Sequence, residues 1–496
     1  MLLRIGWSGV LLLSWVTLLG TSNIAAAEKA EAGRELFSYE WRQNDPRSAK
    51  GDGLGPMFND VSCVACHKQG GVGGGGPVEK NVQVGSVFAR GLFTAEGAAE
   101  QQRADLEKIH PGFLKTRSVV LHRSSTDDAY RDFRTKNFTP KAEVSTSAIF
   151  GLLWGSKVNP LAGVSAATTV TGQVLDEAQS DLPKLTKEQM NEVAQLKKLA
   201  SSRLARRDFR EISLLISERN TPALFGSGLI DSIPERVLRA NAEMKHDAYP
   251  EVSGRVARSA SGKVGRFGWK GQQSKLHDFV LAACATEVGL EVQGKSQGTL
   301  PYKSDYQAPG VDLTDGECRE LTSFVATLPR PRQLATKDAE SFTRISEGSN
   351  LFGAIGCAVC HTRDLGEVSG VFSDLLLHDM GPALSDPGEP GAYGGSDDDT
   401  LKLPLPPLAG DFGLSNVVVE VRGGGGSAGP GEWRTPPLWG VRDSAPYLHD
   451  GRAETLEQAI ALHDGEAKRS MRRFFQLGAD QRTEVMAFLD SLAAPE

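Results

Sequence analysis

A mostly apolar run from Ile5 to about Leu19 follows Arg4 and ends at the small residues Ala25-Ala26-Ala27. It is short for a membrane span and has the make-up of a cleavable leader, with cleavage expected after Ala27. No other long apolar stretch follows, so no membrane span is expected in the mature chain. Apolar residues at helical spacing predict a helix near 30–42 and another over Leu185–Ala205. The same spacing marks Glu320–Leu328 (ELTSFVATL) and Glu484–Leu492 (EVMAFLDSL), which echo each other. Glycine-rich stretches at Gly51–Gly55 and Gly70–Pro77 predict loops, and 386–431, rich in Gly, Pro and Asp, predicts an irregular surface excursion.

The chain repeats itself on a larger scale. Cys63-Val-Ala-Cys66-His67 and Cys357-Ala-Val-Cys360-His361 both read C-x-x-C-H, the attachment signature of a c-type haem. Two residues between the cysteines let both sulfurs reach one edge of the porphyrin as thioethers, and the next residue offers its imidazole to the iron. A zinc site would gather four ligands, and these motifs lie in opposite halves of the chain. A redox C-x-x-C would sit in a βαβ pattern that neither flank shows. Downstream, Thr221-Pro-Ala-Leu-Phe-Gly226 resembles Thr435-Pro-Pro-Leu-Trp-Gly440, and the two echoing helices close each half. The repeat predicts a mostly α chain with two cytochrome c-like domains, each around one covalent haem c. The expected boundaries are a leader over 1–27, a first domain over 28–330 with an insertion at about 90–215, a linker over 331–340 and a second domain over 341–496.

At 496 residues and net charge −7, with no basic arm, the chain has no electrostatic footprint for nucleic acid. Haem c is attached outside the cytoplasm, so the leader and the motifs agree on export, to the periplasm or beyond. The motifs use four of six cysteines; Cys284 and Cys318 remain, as a disulfide or as two buried thiols. The run Gly70–Pro77 lacks the Lys-Ser/Thr of a phosphate loop and is expected to pack its backbone close to the haem. Arg203, Arg206, Arg207 and Arg210 form either a solvated basic face or partners for haem propionates.

Four stretches together resemble the di-haem oxidoreductases of peroxidase type, also called thiol oxidoreductases, distant relatives of bacterial di-haem cytochrome c peroxidases and of MauG. They are the haem motifs, Gly265-Arg-Phe-Gly-Trp269-Lys, Phe372-Ser-Asp-Leu-Leu-Leu-His378-Asp-Met380-Gly, and Arg434–Gly440 with Ala445-Pro-Tyr-Leu-His449-Asp-Gly-Arg452; the resemblance covers roughly residues 31–492. It implies a peroxide-reactive haem at His67 and an electron-transfer haem at His361. The implied partners are hydrogen peroxide or another small oxidant, and a small electron-donor protein. The relatives carry a sixth ligand fourteen residues beyond the histidine of A-P-Y-x-H-x-G, which here is His463; Met380 is the rival. His378 and His449 are expected to make structural hydrogen bonds to a propionate or backbone. At the first haem the repeat points near 249–251, with Met244, His246 and Tyr249 as candidates, His110 and His122 more remote, and an open site as the alternative. The relatives use a glutamate as acid–base beside the reactive iron, a tryptophan relay between haems, and a calcium ion held by main-chain carbonyls. Here these fall on Asp231 or Glu235, on Trp269, and on Ser444 and Pro446. Two other activities fit the same motifs: plain electron transfer with both irons six-coordinate, and MauG-like oxidation of a protein partner. No cysteine outside the haem motifs has a reactive signature that would support thiol chemistry.

Overall fold

The computed structural model describes residues 27–89, 96–139, 142–143, 181–386 and 428–495, except the single positions 115, 211, 260, 304 and 337. The leader up to residue 26, parts of the insertion and nearly all of the 386–431 excursion lie outside the described residues. Among the described residues no helix is long and apolar enough to cross a membrane.

The chain is mainly helical, and its two halves are built on the same crossing. In the first half the helix over 27–38 (α1) crosses the closing helix Asp315–Thr327 (α4), which starts at a Thr314–Glu317 capping box. In the second half Ala339–Ala354 (α5) crosses Ala479–Asp490 (α8). Both crossings depend on a glycine. A Cβ on Gly33 would stand 2.0 Å from the Glu320 carbonyl oxygen, and one on Gly348 would stand 1.9 Å from that of Glu484. Four residues after each glycine comes a phenylalanine that joins the crossing to the haem histidine. Phe37 lies 5.2 Å from Phe324 and 6.3 Å from His67, while Phe352 lies 5.3 Å from Phe488 and 6.5 Å from His361, ring centre to ring centre. The echo between Glu320–Leu328 and Glu484–Leu492 is therefore a repeated packing surface.

The cores interpenetrate. Leu365, Val371, Leu375 and Trp439 from the second half are buried in the first core. Val193 belongs to the second core, although it lies in the first-half insertion. Its helix, Lys187–Leu199 (α2), begins at a Thr186–Gln189 capping box and is shorter than the expected 185–205. It rests on the second half, where Arg482 pairs with Glu192 at 2.6 Å and Arg469 donates to the Asp181 carbonyl at 3.2 Å. The linker strand Arg332–Gln333 pairs with Leu492–Ala493, which ties the joint to the C-terminal end.

The insertion also holds a five-stranded antiparallel sheet that the sequence reading did not anticipate. Its strands are β1 (Val82–Ala89), β2 (Ser118–Val120), β3 (Ala142–Glu143), β4 (Ala205–Phe209) and β5 (Ile212–Arg219), in the order β2-β1-β5-β4-β3. Short apolar runs such as Ile212–Ile216 are compatible with a buried strand or a buried helical turn, so periodicity does not separate the two. The arginines at this point do not form one face. Arg203 pairs with Glu218, Arg206 with Asp208 and Arg210 with Asp105, and Arg207 donates to the Thr139 carbonyl.

Candidate haem sites

Cys63–Cys66 forms one helical turn, and the His67 amide donates to the Cys63 carbonyl at 3.0 Å. At the second motif the His361 amide does the same to Cys357, also at 3.0 Å. Each turn thus presents two sulfurs and an imidazole from five residues. The ring orientation is set from outside the motif: His67 Nδ1 donates to the Gly74 carbonyl at 3.2 Å, and His361 Nδ1 to that of Phe372 at 3.0 Å. A proton committed to Nδ1 leaves the Nε2 lone pair for a metal. Burial pushes both histidines down to about 4, so both are neutral, as ligation requires.

The glycine run explains how the Gly74 carbonyl reaches His67. Gly73 has φ +91°, and a Cβ on Gly76 would stand 2.6 Å from the Cys66 carbonyl oxygen. The loop folds its backbone onto the motif itself, which no side chain would permit.

Against Cys63, Cys66 and His67 lies a cavity with about 1340 Å³ of atom-free space, part of it open to solvent. Its walls come from α1, α4, the Leu276–Thr286 helix (α3) and the turn 268–273, with Phe37, Leu321, Phe279 and Val280 among the apolar contacts. Among the described residues His67 is the one histidine in this lining, which holds no methionine or tyrosine. Lys270 also lines it, but its Nζ donates to the carbonyls of Gly429, Pro430 and Glu432 at 2.7, 3.2 and 3.0 Å. Two thiols in one turn, a neutral imidazole and an apolar cavity beside them fit a covalently attached haem.

The second site offers another imidazole. His463, at the end of Leu456–Ala461 (α6), donates from Nδ1 to the Ala459 carbonyl at 2.7 Å, which leaves its Nε2 uncommitted. It is near enough to His361 to lower that residue's pKa, after the larger effect of burial.

The chain matches the family described as "Di-haem oxidoreductase, putative peroxidase" over residues 13–400 and 422–492. It belongs to this family. Membership of a di-haem family implies two haems for this chain. Part of the chain is also similar to "Cytochrome-c peroxidase IdrP1" of Pseudomonas sp. (strain SCT), at 26% identity over 191 residues, 36% of this chain and 47% of that protein. The chain thus spans under half the length of that curated relative. Among solved structures, the hydrazine synthase of Kuenenia stuttgartiensis shares 16% identity at TM-score 0.27, over 56% of this chain and 73% of that one. A MauG-like protein associated with microbial copper homeostasis shares 15% at TM-score 0.26, over 53% and 90%.

In this di-haem oxidoreductase several residues singled out by sequence stand elsewhere than expected. Asp231 is not in the cavity; it accepts the Leu276 amide at 3.0 Å and fixes the start of α3. Glu235 is half-buried and pairs with Arg239. The carboxylates that do line the cavity are Asp60 and Glu287. Asp60 is paired with Lys80. Glu287 accepts from Asn59 Nδ2 at 2.7 Å, and burial pushes its carboxyl up to about 7. Its only signal in sequence is its place just after an apolar helix. Tyr249 belongs to the second site: its ring packs on Gly356, and Arg473 donates to its hydroxyl. Met244 is exposed, and His122 Nε2 binds the Thr286 carbonyl at 3.0 Å. Met380 packs with Trp433 and Leu384, in a cluster separate from the core around Phe352 and Phe372.

Trp269 lines the first cavity and donates from Nε1 to the Asn220 carbonyl at 2.9 Å. It shares a cluster with Trp433, which stacks on His449 at 3.7 Å and 9°. His449 is held by that stack, its Nε2 3.8 Å from Asp386 Oδ2 and 3.9 Å from Asp450 Oδ2, and His378 is bound by carboxylates. Cys284 and Cys318 are free, buried thiols. Among the described residues, the side chains of Cys360, Asp374 and His378 are close enough to share an ion.

Proposed function

We propose that the chain is an exported, peroxidase-like di-haem oxidoreductase. Its haems would be joined covalently through Cys63/Cys66 and Cys357/Cys360, with His67 and His361 as proximal ligands. The His67 iron would be open on its far side and the His361 iron closed by His463. The observation that carries this reading is the asymmetry between the sites. Among the described residues the cavity beside His67 offers no second imidazole or thioether, whereas His361 has His463 close by with its Nε2 uncommitted. An iron with a vacant position can bind a small oxidant, and a closed one passes electrons.

When bound, the first haem supplies the reduction of a peroxide bond. The chain's own part is to manage protons and water. Glu287, protonated near neutral pH, can give a proton to the departing oxygen and regain one, with Asn59 Nδ2 fixing its Oε2. Phe279 and Val280 keep the cavity apolar. Trp269, on the cavity wall and packed with Trp433, would relay electrons from the second haem, which a small donor protein would supply. The lining of the first cavity speaks against pure electron transfer, since that role needs a second strong ligand there.

The test is peroxide consumption by the holoprotein with a reduced donor. Wild type should turn over, and Glu287→Gln should lose about 10²-fold, the usual scale for a general acid–base. An inert wild type would leave only the electron carrier, and a fully active variant would remove Glu287 from the mechanism.

A further inference from the structure

The stretch Phe372–Gly381 is only half explained by the sites above. Its first residue accepts the His361 Nδ1 proton, and the Asp374 amide donates to the Cys360 carbonyl at 2.9 Å. The rest builds a charge cluster. His378, 3% exposed, has Nε2 2.9 Å from Asp374 Oδ2 and Nδ1 2.7 Å from Glu466 Oε2. The same Nδ1 lies 3.8 Å from the Cys360 sulfur. Gly254 is packed on the ring, where a Cβ would stand 2.4 Å from Cε1, so the imidazole cannot swing away.

Ionised carboxylates only accept hydrogen bonds, so a ring between two of them carries a proton on each nitrogen. His378 is therefore an imidazolium. Burial alone would discharge it, but the bonds to Asp374 and Glu466 oppose burial and raise its pKa above the ordinary value. The carboxylates are braced in turn: Asp374 accepts the Leu376 amide at 2.9 Å, and Glu466 accepts the Ser253 amide at 3.0 Å. One positive and two negative charges are thus fixed, away from bulk water, beside the sulfur that anchors the second haem.

We propose that the Asp374–His378–Glu466 cluster sets the reduction potential of the second haem, with His378 holding it up and the two carboxylates holding it down. A fixed charge at short range in a weakly polarisable surrounding acts strongly on an iron that changes charge by one unit. The cluster is no ion site once the Cys360 sulfur is a thioether, because the thiolate that would complete the set is spent. His378 acts here as a positioning charge and touches no substrate. The inference rests on the reading that the second haem is attached at Cys360.

The experiment is a potentiometric titration of the full-length holoprotein, with both haems followed by absorbance. His378→Gln should lower the midpoint of the second haem, and Glu466→Gln should raise it, with the first haem unmoved in both. A purely structural role would not give shifts of opposite sign. Two unshifted midpoints, or two shifts in the same direction, overturn the proposal. If His378→Gln fails to keep its haem, Glu466→Gln decides alone: a rise supports the cluster, and no change or a fall overturns it. Mass spectrometry of the denatured wild-type chain checks the attachment. A Cys357–Cys360 peptide without haem overturns that reading and this proposal together, while retained haem with unshifted potentials overturns the proposal alone.

Discussion

His463 and Met380 differ in what surrounds them. His463 has one ring nitrogen tied to a backbone carbonyl and the other free, close to His361, while Met380 is spent on packing against Trp433. His463→Gly should turn the second haem from low spin to high spin in the absorption spectrum, and Met380→Leu should leave it unchanged. The reverse pattern would exchange the two residues' roles. Glu287 allows a test without turnover. Its carboxyl is raised from 4.5 to about 7 by burial, so the folded chain keeps a proton that the unfolded chain has lost across that window. Stability should therefore fall as pH rises from about 4.5 to 7 and stay lower above it. In Glu287→Gln that part of the slope should vanish from the melting temperature; an unchanged slope would mean that Glu287 is not the group responsible. The haem-binding turns were legible in sequence because five consecutive residues carry their chemistry. Glu287 was not, because its environment is made with Asn59, far away in the chain. Asp231 drew attention by adjacency to the repeat, and its carboxylate is used to start α3.

At the scale of elements, each haem motif hangs on two helices that touch through a glycine. Gly33→Ala and Gly348→Ala each force a methyl group onto a carbonyl oxygen about 2 Å away. Each should cost about 1–3 kcal/mol in denaturant unfolding, through displaced helices rather than lost contacts. A neutral effect at both positions would mean that the crossing is looser than described. The closing helices could be read from periodicity because their apolar face is wide and sequential. The five-stranded sheet could not: its partners β1 and β5 are joined only by tertiary pairing, and their short runs carry no decisive period. The Lys187–Leu199 helix was legible as a helix, but not its place. Val193 meets the second core because folding brings Arg469 and Arg472 to the segment before its helix and Arg482 to Glu192 on the helix itself.

Across the whole molecule, the exchange of segments between the cores matters for how the haems work together. Trp439 from the second half lies in the first core, Trp269 from the first half packs with Trp433, and the 268–273 turn is sewn to the second half by Lys270. The two sites are thus parts of one connected body, as electron passage between them requires. The proposed division of labour rests on one open and one closed iron. Low-temperature electron paramagnetic resonance of the oxidised and half-reduced holoprotein, with and without cyanide, tests this most directly. A low-spin signal that cyanide does not alter is expected from the His361 haem, and a second signal that cyanide converts in at least one redox state is expected from the His67 haem. Two low-spin signals that cyanide never changes, in either state, would contradict that division.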